Sequence, residues 1–285
     1  MKLKKETTFL FFFAIFQLCI CQNKLISKDG FISSGSESFE GNEPEGNWVW
    51  DSGDPNPKNY YLHIRKNFRL NSPIKEAKAY VSAFSFAELY INGVYIDRIP
   101  TNPDPEYQTY EEIDISPYLK LGENTIAALV YNVGEGLHHR MNGKGGFFFQ
   151  SKITDSKEKI IKLNSDKSWL VAKAIAWENK TDHRQIDHTI GRREKYDARL
   201  EYDGWEQNHF NDSNWENATE IGVPPIDPWN KIVVINRERT FFKIIAPKRK
   251  WSINGLHIYD FGKAITAYPH FVANAKKSGL TIEIG

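Results

Sequence analysis

Alternation of apolar and polar positions, with almost no window placing apolar residues at i, i+3, i+4 and i+7, organises this chain and predicts strands in preference to helices. In "AFSFAELYINGVYIDRIP", residues 83–100, two aromatic-rich runs meet at Asn92-Gly93, a pair suited to a hairpin turn with positive φ. Upstream, "NWVW" and "YYLHIRKNFRL" flank a turn over Asp54 to Pro57, and "EAKAYVSAF" alternates small apolar with polar residues. Downstream, "PEYQTYEEIDI" alternates again, and "SPYLKLGENTIAALVYNVG" predicts a short turn of helix, a stop at Gly122 and a further strand. "GKGGFFFQSKI" and "EKIIKLNSD" make one more pair across a polar turn. Short strands with turn signals at regular intervals predict an all-β chain built as a β-sandwich or jelly roll.

Between Trp177 and Trp215 the texture changes to a polar, charged stretch punctuated by Trp, predicted to be a long excursion packed on the sandwich by its aromatic residues. "GVPPIDPW" is a stiff connector, after which "KIVVINRERTFFKIIA", "LHIYDFG", "AYPHFVANA" and "GLTIEIG" predict a second strand-rich unit. The domains so read are 45–230 for the first sandwich with its excursion and 231–285 for the start of a second. The last predicted strand has nothing after it to pair with, so the expectation is a fragment of a longer polypeptide.

The first residues belong to a different category. "MKLKKETT" is basic, "FLFFFAIFQL" is apolar but short for a bilayer span, and Cys19 and Cys21 place small side chains before a cleavage point at Gln22. This predicts a signal peptide over 1–21 and an exported, periplasmic or surface protein, with a lipid anchor at Cys21 as the alternative. Both cysteines of the chain lie in that segment, so the mature chain offers no disulfide, thiolate metal site or thiol nucleophile. A cysteine-free exported protein suits a bacterial periplasm or surface. The formal net charge of +1 carries no broad field toward nucleic acid or an anionic membrane, and neither partner is expected.

The order of "ELYINGVYID", "YQTYEEIDISPYLKLGENTIAALV", "SDKSWLV", "KYDARLEYDGWEQNHFNDSNWENA" and "IYDFGKAITAYPHFVANAKKSGLTIEIG" resembles the non-catalytic N-terminal part of bacterial α-L-rhamnosidases of glycoside hydrolase family 78. The run around Tyr196, Asp197, Ala198, Arg199, Trp205, Asp212 and Trp215 is its most specific piece. The chain departs from the family's pattern at Lys263-Ala264, where a Gln-Asn pair is usual. The resemblance, over roughly 45–285, implies a jelly-roll or galactose-binding-like sandwich followed by the start of a concanavalin-like β-domain. It further implies a rhamnose-containing carbohydrate as substrate, and catalytic residues in an (α/α)6 barrel downstream in the same polypeptide, which nothing in this sequence resembles. The expected role is therefore an accessory, substrate-shaping segment with no catalytic residue of its own. The competing role is a stand-alone carbohydrate-binding module of a surface or periplasmic protein.

Several residues could carry chemistry. Inverting glycoside hydrolysis needs two carboxyls about 6.5–9.5 Å apart. Glu111, Glu112 and Asp114 are close in sequence, but Glu112 and Asp114 alternate with Ile113 and Ile115 as on a solvated strand face. Asp197 and Glu201 fall in the signature run, where Asp197 is expected to organise the loop with Arg199. "TDHRQIDHT" holds Asp182-His183 and Asp187-His188, at a spacing that fits no closed metal site, and no metal is expected there. Calcium has hard oxygen donors available in Asp51, Asp54 and Asn56, and turn chemistry explains the same residues; no other cofactor is expected. The candidate carbohydrate contacts are His138, His139, Arg140 and Asn142 in a Gly-flanked loop, Asp182 and His183 in the excursion, and Trp177 as an aromatic platform.

Overall fold

The structure, a computed structural model, describes residues 43–99, 104–105, 107–137, 141–182, 192–234, 243–272 and 279–284. The signal-peptide reading over 1–21 lies outside them. The chain divides into two compact units, one over 33–237 and one holding the residues from 238 onward.

The first unit contains strands β1 (Trp48–Trp50), β2 (Tyr60–Leu70), β3 (Ile74–Phe84), β4 (Phe86–Ile91), β5 (Val94–Ile99), β6 (Tyr107–Asp114), β7 (Gly122–Asn132), β8 (Gly146–Asp155), β9 (Ile160–Asn164), β10 (Leu170–Lys173), β11 (Glu216–Asn217), β12 (Thr219–Gly222) and β13 (Lys231–Val234). They form two sheets, ordered β12-β1-β8-β3-β6-β13 with β9 on β8, and β11-β10-β2-β7-β4-β5. Every pairing is antiparallel except β13 on β6. The period of two sends Leu62 and Ile64 of β2, Ala79 and Val81 of β3, Leu89 of β4, Ile126 and Ala128 of β7 and Phe147 and Phe149 of β8 into one core between the sheets. Burying each larger aliphatic or aromatic side chain there contributes about 1.5–3 kcal/mol, the main term holding the sheets together.

The outward faces depart from a simple alternation. β8 is buried on both sides, because its outward Phe148 meets Trp48 and Trp229. Trp229 comes from the Pro-rich connector and stacks on Trp48 at 4.1 Å. Gly146 is the space this requires, and Gly145 before it makes room for Trp50 of the core. A Cβ on Gly146 would stand 2.6 Å from Trp229, and one on Gly145 would stand 2.3 Å from Trp50.

The Asn92-Gly93 turn takes φ of 52° and 82°, the left-handed region the pair accepts. Asn92 is also a hub: its Nδ2 donates to Tyr118 O at 2.8 Å and Asn124 Oδ1 at 2.9 Å, and its Oδ1 accepts the Thr125 amide at 2.9 Å. The Gly93 amide donates to Glu206 O of the excursion at 3.0 Å. The hairpin thus walls the sandwich and pins the excursion at its tip. The predicted helical turn is a single 3-10 turn over Ser116–Tyr118, and the following strand begins at Gly122.

Two expectations are corrected. The boundary at 230/231 falls one strand early, since β13 extends the seven-stranded sheet beside β6 and carries Ile232 onto the buried face with Trp229. Among the described residues of the second unit, β14 (Arg249–Ile253) and β15 (Leu256–Asp260) pair and no other strands do. Residues 267–272 and 280–284 alternate as strands do but have no ladder partner among the described residues, and a strand exists only by pairing.

Gly146→Ala forces a methyl into the Trp48–Trp229 stack and is expected to cost about 1–3 kcal/mol by overpacking. Gly136→Ala, with nothing within 4 Å, should stay within about 0.5 kcal/mol of wild type. Urea unfolding followed by tryptophan fluorescence checks both.

Candidate functional site

β2 organises the outer face of the six-stranded sheet. With Leu62 and Ile64 inward, Tyr61, His63, Arg65 and Asn67 point outward, which in a two-layer sandwich means toward water. Yet His63 and Arg65 are both fully buried. Residues 196–215, the stretch with the family-like run, close over them. Trp205 lies against the His63 ring at 4.2 Å, with Tyr202 and Trp215 each at 5.8 Å.

Arg65 is held by a cage made mostly of the same cover. Nη1 pairs with Asp212 and reaches Phe210 O at 3.4 Å; Nη2 donates to Gln207 O at 2.7 Å and Asn67 Oδ1 at 3.0 Å. Phe210 lies 5.2 Å below the guanidinium carbon, a cation–π contact made in a dry site. The planar fork satisfies several acceptors at once, which a lysine cannot do.

His63 Nε2 lies 3.1 Å from Glu201 Oε1, and its Nδ1 has no hydrogen-bond partner. That pattern fits the neutral tautomer with Nε2–H donating to the carboxylate, since a bare ring nitrogen is a smaller loss than an unpaired N–H. Burial pushes the His63 pKa below its ordinary value, although Glu201 pulls the other way. Burial alone would raise the Glu201 carboxyl, but bonds from His63, the Tyr202 amide and the Tyr196 hydroxyl outweigh it and hold the group below the usual range. The unfolded state therefore binds more protons at His63 than the folded state. That share of stability is complete above about pH 6.5 and is lost as pH falls.

Asp197 behaves as expected. It caps the 3-10 turn Ala198–Leu200 by accepting the Arg199 amide at 3.1 Å, and takes Arg199 Nε at 2.8 Å. The Arg199 side-chain and backbone bonds bring its pKa to about 2. Glu112 pairs with Lys78 at 2.7 Å, Asp114 accepts the Ser116 amide at 2.9 Å, and Glu111 is buried on the face opposite Glu112.

At one end of the sandwich the loop after β7 meets the base of the excursion. Buried Asn59 donates to the carbonyls of Glu178 and Asn179 at 3.3 and 3.1 Å and to Thr181 Oγ1 at 3.2 Å, and accepts the Tyr131 hydroxyl at 2.9 Å. Arg192 grips Glu135 with Nε at 2.8 Å and Nη2 at 3.2 Å, while Nη1 donates to Thr181 O at 2.7 Å. These bonds bring the start of the loop after β7 beside the base of the excursion; Asn142, later in that loop, and Asp182, in the excursion, are both exposed. Trp177 is half-buried, stacked on Tyr61 at 4.5 Å with Tyr196 against it at 4.9 Å. Its ring anchors the excursion, leaving it less of a free platform than expected. His138, His139, Arg140 and His183, with Asp187 and His188, lie outside the described residues.

The oxygens considered for calcium are used in turns. Asp51 accepts the Gly53 amide at 3.0 Å and the Tyr60 hydroxyl at 2.6 Å, Asp54 accepts the Asn56 amide at 2.9 Å, and Asn56 donates to Asn142 at 3.2 Å. No group of three or more His, Cys, Asp or Glu side chains suited to a metal occurs among the described residues. No described helix is long and apolar enough to cross a membrane.

His63, Arg65, Asp212, Glu135 and Arg192 are the residues that sequence reasoning missed. On an alternating strand, "HIR" reads as polar positions facing water. Only the Trp-rich composition of a distant stretch hinted that something would lie on them.

Two covered sheets with a polar loop end define a β-sandwich module in which Glu112, Asp114, Asp197 and Glu201 are engaged in ion pairs, turns and caps. The sequence itself matches the α-L-rhamnosidase N-terminal domain family over residues 72–236, and the chain belongs to that family. An α-L-rhamnosidase of Formosa agariphila is 28% identical over 162 residues, which are 54% of this chain and 17% of that protein. Among solved structures, a glycoside hydrolase family 78 rhamnosidase of Bacillus sp. GL1 aligns with a TM-score of 0.60 and 26% identity, over 68% of this chain and 20% of that one. The α-L-rhamnosidase of Dictyoglomus thermophilum aligns with a TM-score of 0.59 and 25% identity, over 76% of this chain and 25% of that one. The chain spans between a sixth and a quarter of the length of these relatives.

Arg65→Met is expected to cost about 3 kcal/mol, the low end for breaking a buried ion pair, because Asp212 keeps some contact with water. Arg65→Lys should recover little of it. Denaturant midpoints with an unchanged slope check both.

Proposed function

We propose that this chain is a non-catalytic, N-terminal part of an exported α-L-rhamnosidase. In this reading its sandwich helps shape the approach of a rhamnose-containing carbohydrate to a catalytic (α/α)6 barrel of the same polypeptide. The observation that carries it is the family match over 72–236, which takes in strands of both sheets and the whole aromatic cover. The chemistry of the carboxylates agrees. Glu112, Asp197 and Glu201 are held by Lys78, Arg199 and His63, so each is engaged in fixing the fold. Export is supported by the basic, apolar and small-residue pattern of the first residues.

Contact with sugar is assigned to the loop end. Asn142, in the loop after β7, and Asp182, in the excursion, offer exposed amide and carboxylate groups, and the half-buried Arg192–Glu135 pair ties that loop to the excursion. Each sugar hydroxyl exchanges water for a protein partner, so the net gain is about 0.5–1.5 kcal/mol per bond. A shallow site with a few such bonds binds with a dissociation constant on the order of a millimolar.

The purified chain is expected to show no turnover of an aryl α-L-rhamnoside above blank. Turnover abolished by Glu112→Gln or Asp197→Asn would overturn the non-catalytic role. Titration with L-rhamnose, watched by amide NMR, should shift the signals of Asn142 and Asp182. A flat response at concentrations well above a millimolar would leave the loop end a structural spacer.

A further inference from the structure

The aromatic cover carries a feature that sealing a sheet does not require. Residues such as Trp205, Trp215 and Phe210 would seal an apolar strand as well as a polar one. Instead they close over an ionisable ring whose second nitrogen has no acceptor. We infer that His63 is an acid-sensitive latch, and that protonating its ring releases the cover, residues 196–215, from the outer face of β2 while the two-sheet body stays folded.

The groups facing the ring support this. From the cover come the Glu201 carboxylate, bonded at Nε2, the Tyr202 hydroxyl-bearing ring and the Trp205 and Trp215 indoles; Glu206 contributes a more distant negative charge. From the sheet come apolar neighbours, Ala172 of β10 and Leu129 of β7, paired with His63 across the strands. From its own strand comes Arg65, a cation whose nearest carboxylate is Asp212. Glu201 already accepts the one proton that the neutral ring offers. A second ring proton, on Nδ1, finds no acceptor in the closed state, and a buried unpaired donor is strongly disfavoured. Water supplies the acceptor once the cover lifts. The open state therefore takes the proton that the closed state refuses.

Opening can be local. The cover is tied down by the buried Arg65 cage, by the Gly93 amide on Glu206 O and by Asn208 on Glu123 O, none of them in the core between the sheets. None of its aromatic residues belongs to the core between the sheets. The release reaches the loop end, because Glu201 also accepts the Tyr196 hydroxyl at 3.1 Å and Tyr196 abuts Trp177. The inference does not depend on whether that end binds sugar.

Hydrogen exchange by mass spectrometry on the full chain tests it, with intrinsic rates corrected for pH. Below about pH 6.5 the opening constant of amides in 196–215 should rise about tenfold per pH unit, the linkage of a single proton. Amides of β3 and β8 should stay flat over the same range. His63→Gln keeps a donor but cannot ionise, and should abolish the slope. His209→Gln, at an exposed histidine of the same cover, should keep it. Glu201→Gln should raise opening at every pH and leave the slope intact, which preserves the test if His63→Gln fails to fold. A slope that survives in His63→Gln, a cover with no slope, or a cover and body that open together would each overturn the latch.

Discussion

Everything on the outer face of the six-stranded sheet depends on burying the Arg65 guanidinium. A charge taken out of water is tolerated only where its hydrogen bonds are replaced. Four acceptors do this for the two terminal nitrogens, while Nε has no partner, and three of the four, Phe210 O, Gln207 O and the Asp212 carboxylate, come from the excursion. The cover cannot slide or lift without stripping the guanidinium of its partners, so one buried cation fixes the register of some twenty residues that contain almost no regular structure. Trp205, Trp215 and Phe210 supply the apolar area; Arg65 supplies the position.

The seven-stranded sheet solves the same problem without charge. Its outer face is closed by Trp229 on Trp48 and Phe148, and glycines at 143, 145 and 146 let the strand approach these rings and those of Phe84 and Trp50. The covers make the sandwich thicker than two layers where they lie, while strand residues such as Lys78 and Glu112 stay open to water. The loop end is where this unit exposes further polar groups such as Asn142 and Asp182. The sheets themselves present mostly aromatic and aliphatic residues already used in packing.

The loop end and the cover are linked through short steps. Asn59 ties the base of the excursion to β2 and β7, Arg192 ties it to Glu135, and Glu201 ties it to His63. Each is a polar side chain engaged on more than one side, the arrangement that rigidifies a surface when it is complete. The single open valence in this set is the Nδ1 of His63, and it is the place where proton concentration can act on the structure.

The sequence by itself determined the class of fold, the hairpin at Asn92-Gly93, the stop at Gly122 and the pairing of "GFFFQSKI" with "IIKLN", because period two and turn chemistry are local properties of the chain. It also marked the stretch between Trp177 and Trp215 as an aromatic excursion and the Asp197–Arg199 pair as a loop organiser, since those partners are two residues apart. Tertiary structure alone decided that His63 and Arg65 are buried, that β13 joins the first sandwich, and that Tyr61 and Tyr196 are the rings against which Trp177 packs. Alternation tells which side of a sheet a residue faces. It cannot tell whether that side meets water, because the answer lies with segments more than a hundred residues away, brought back by the fold.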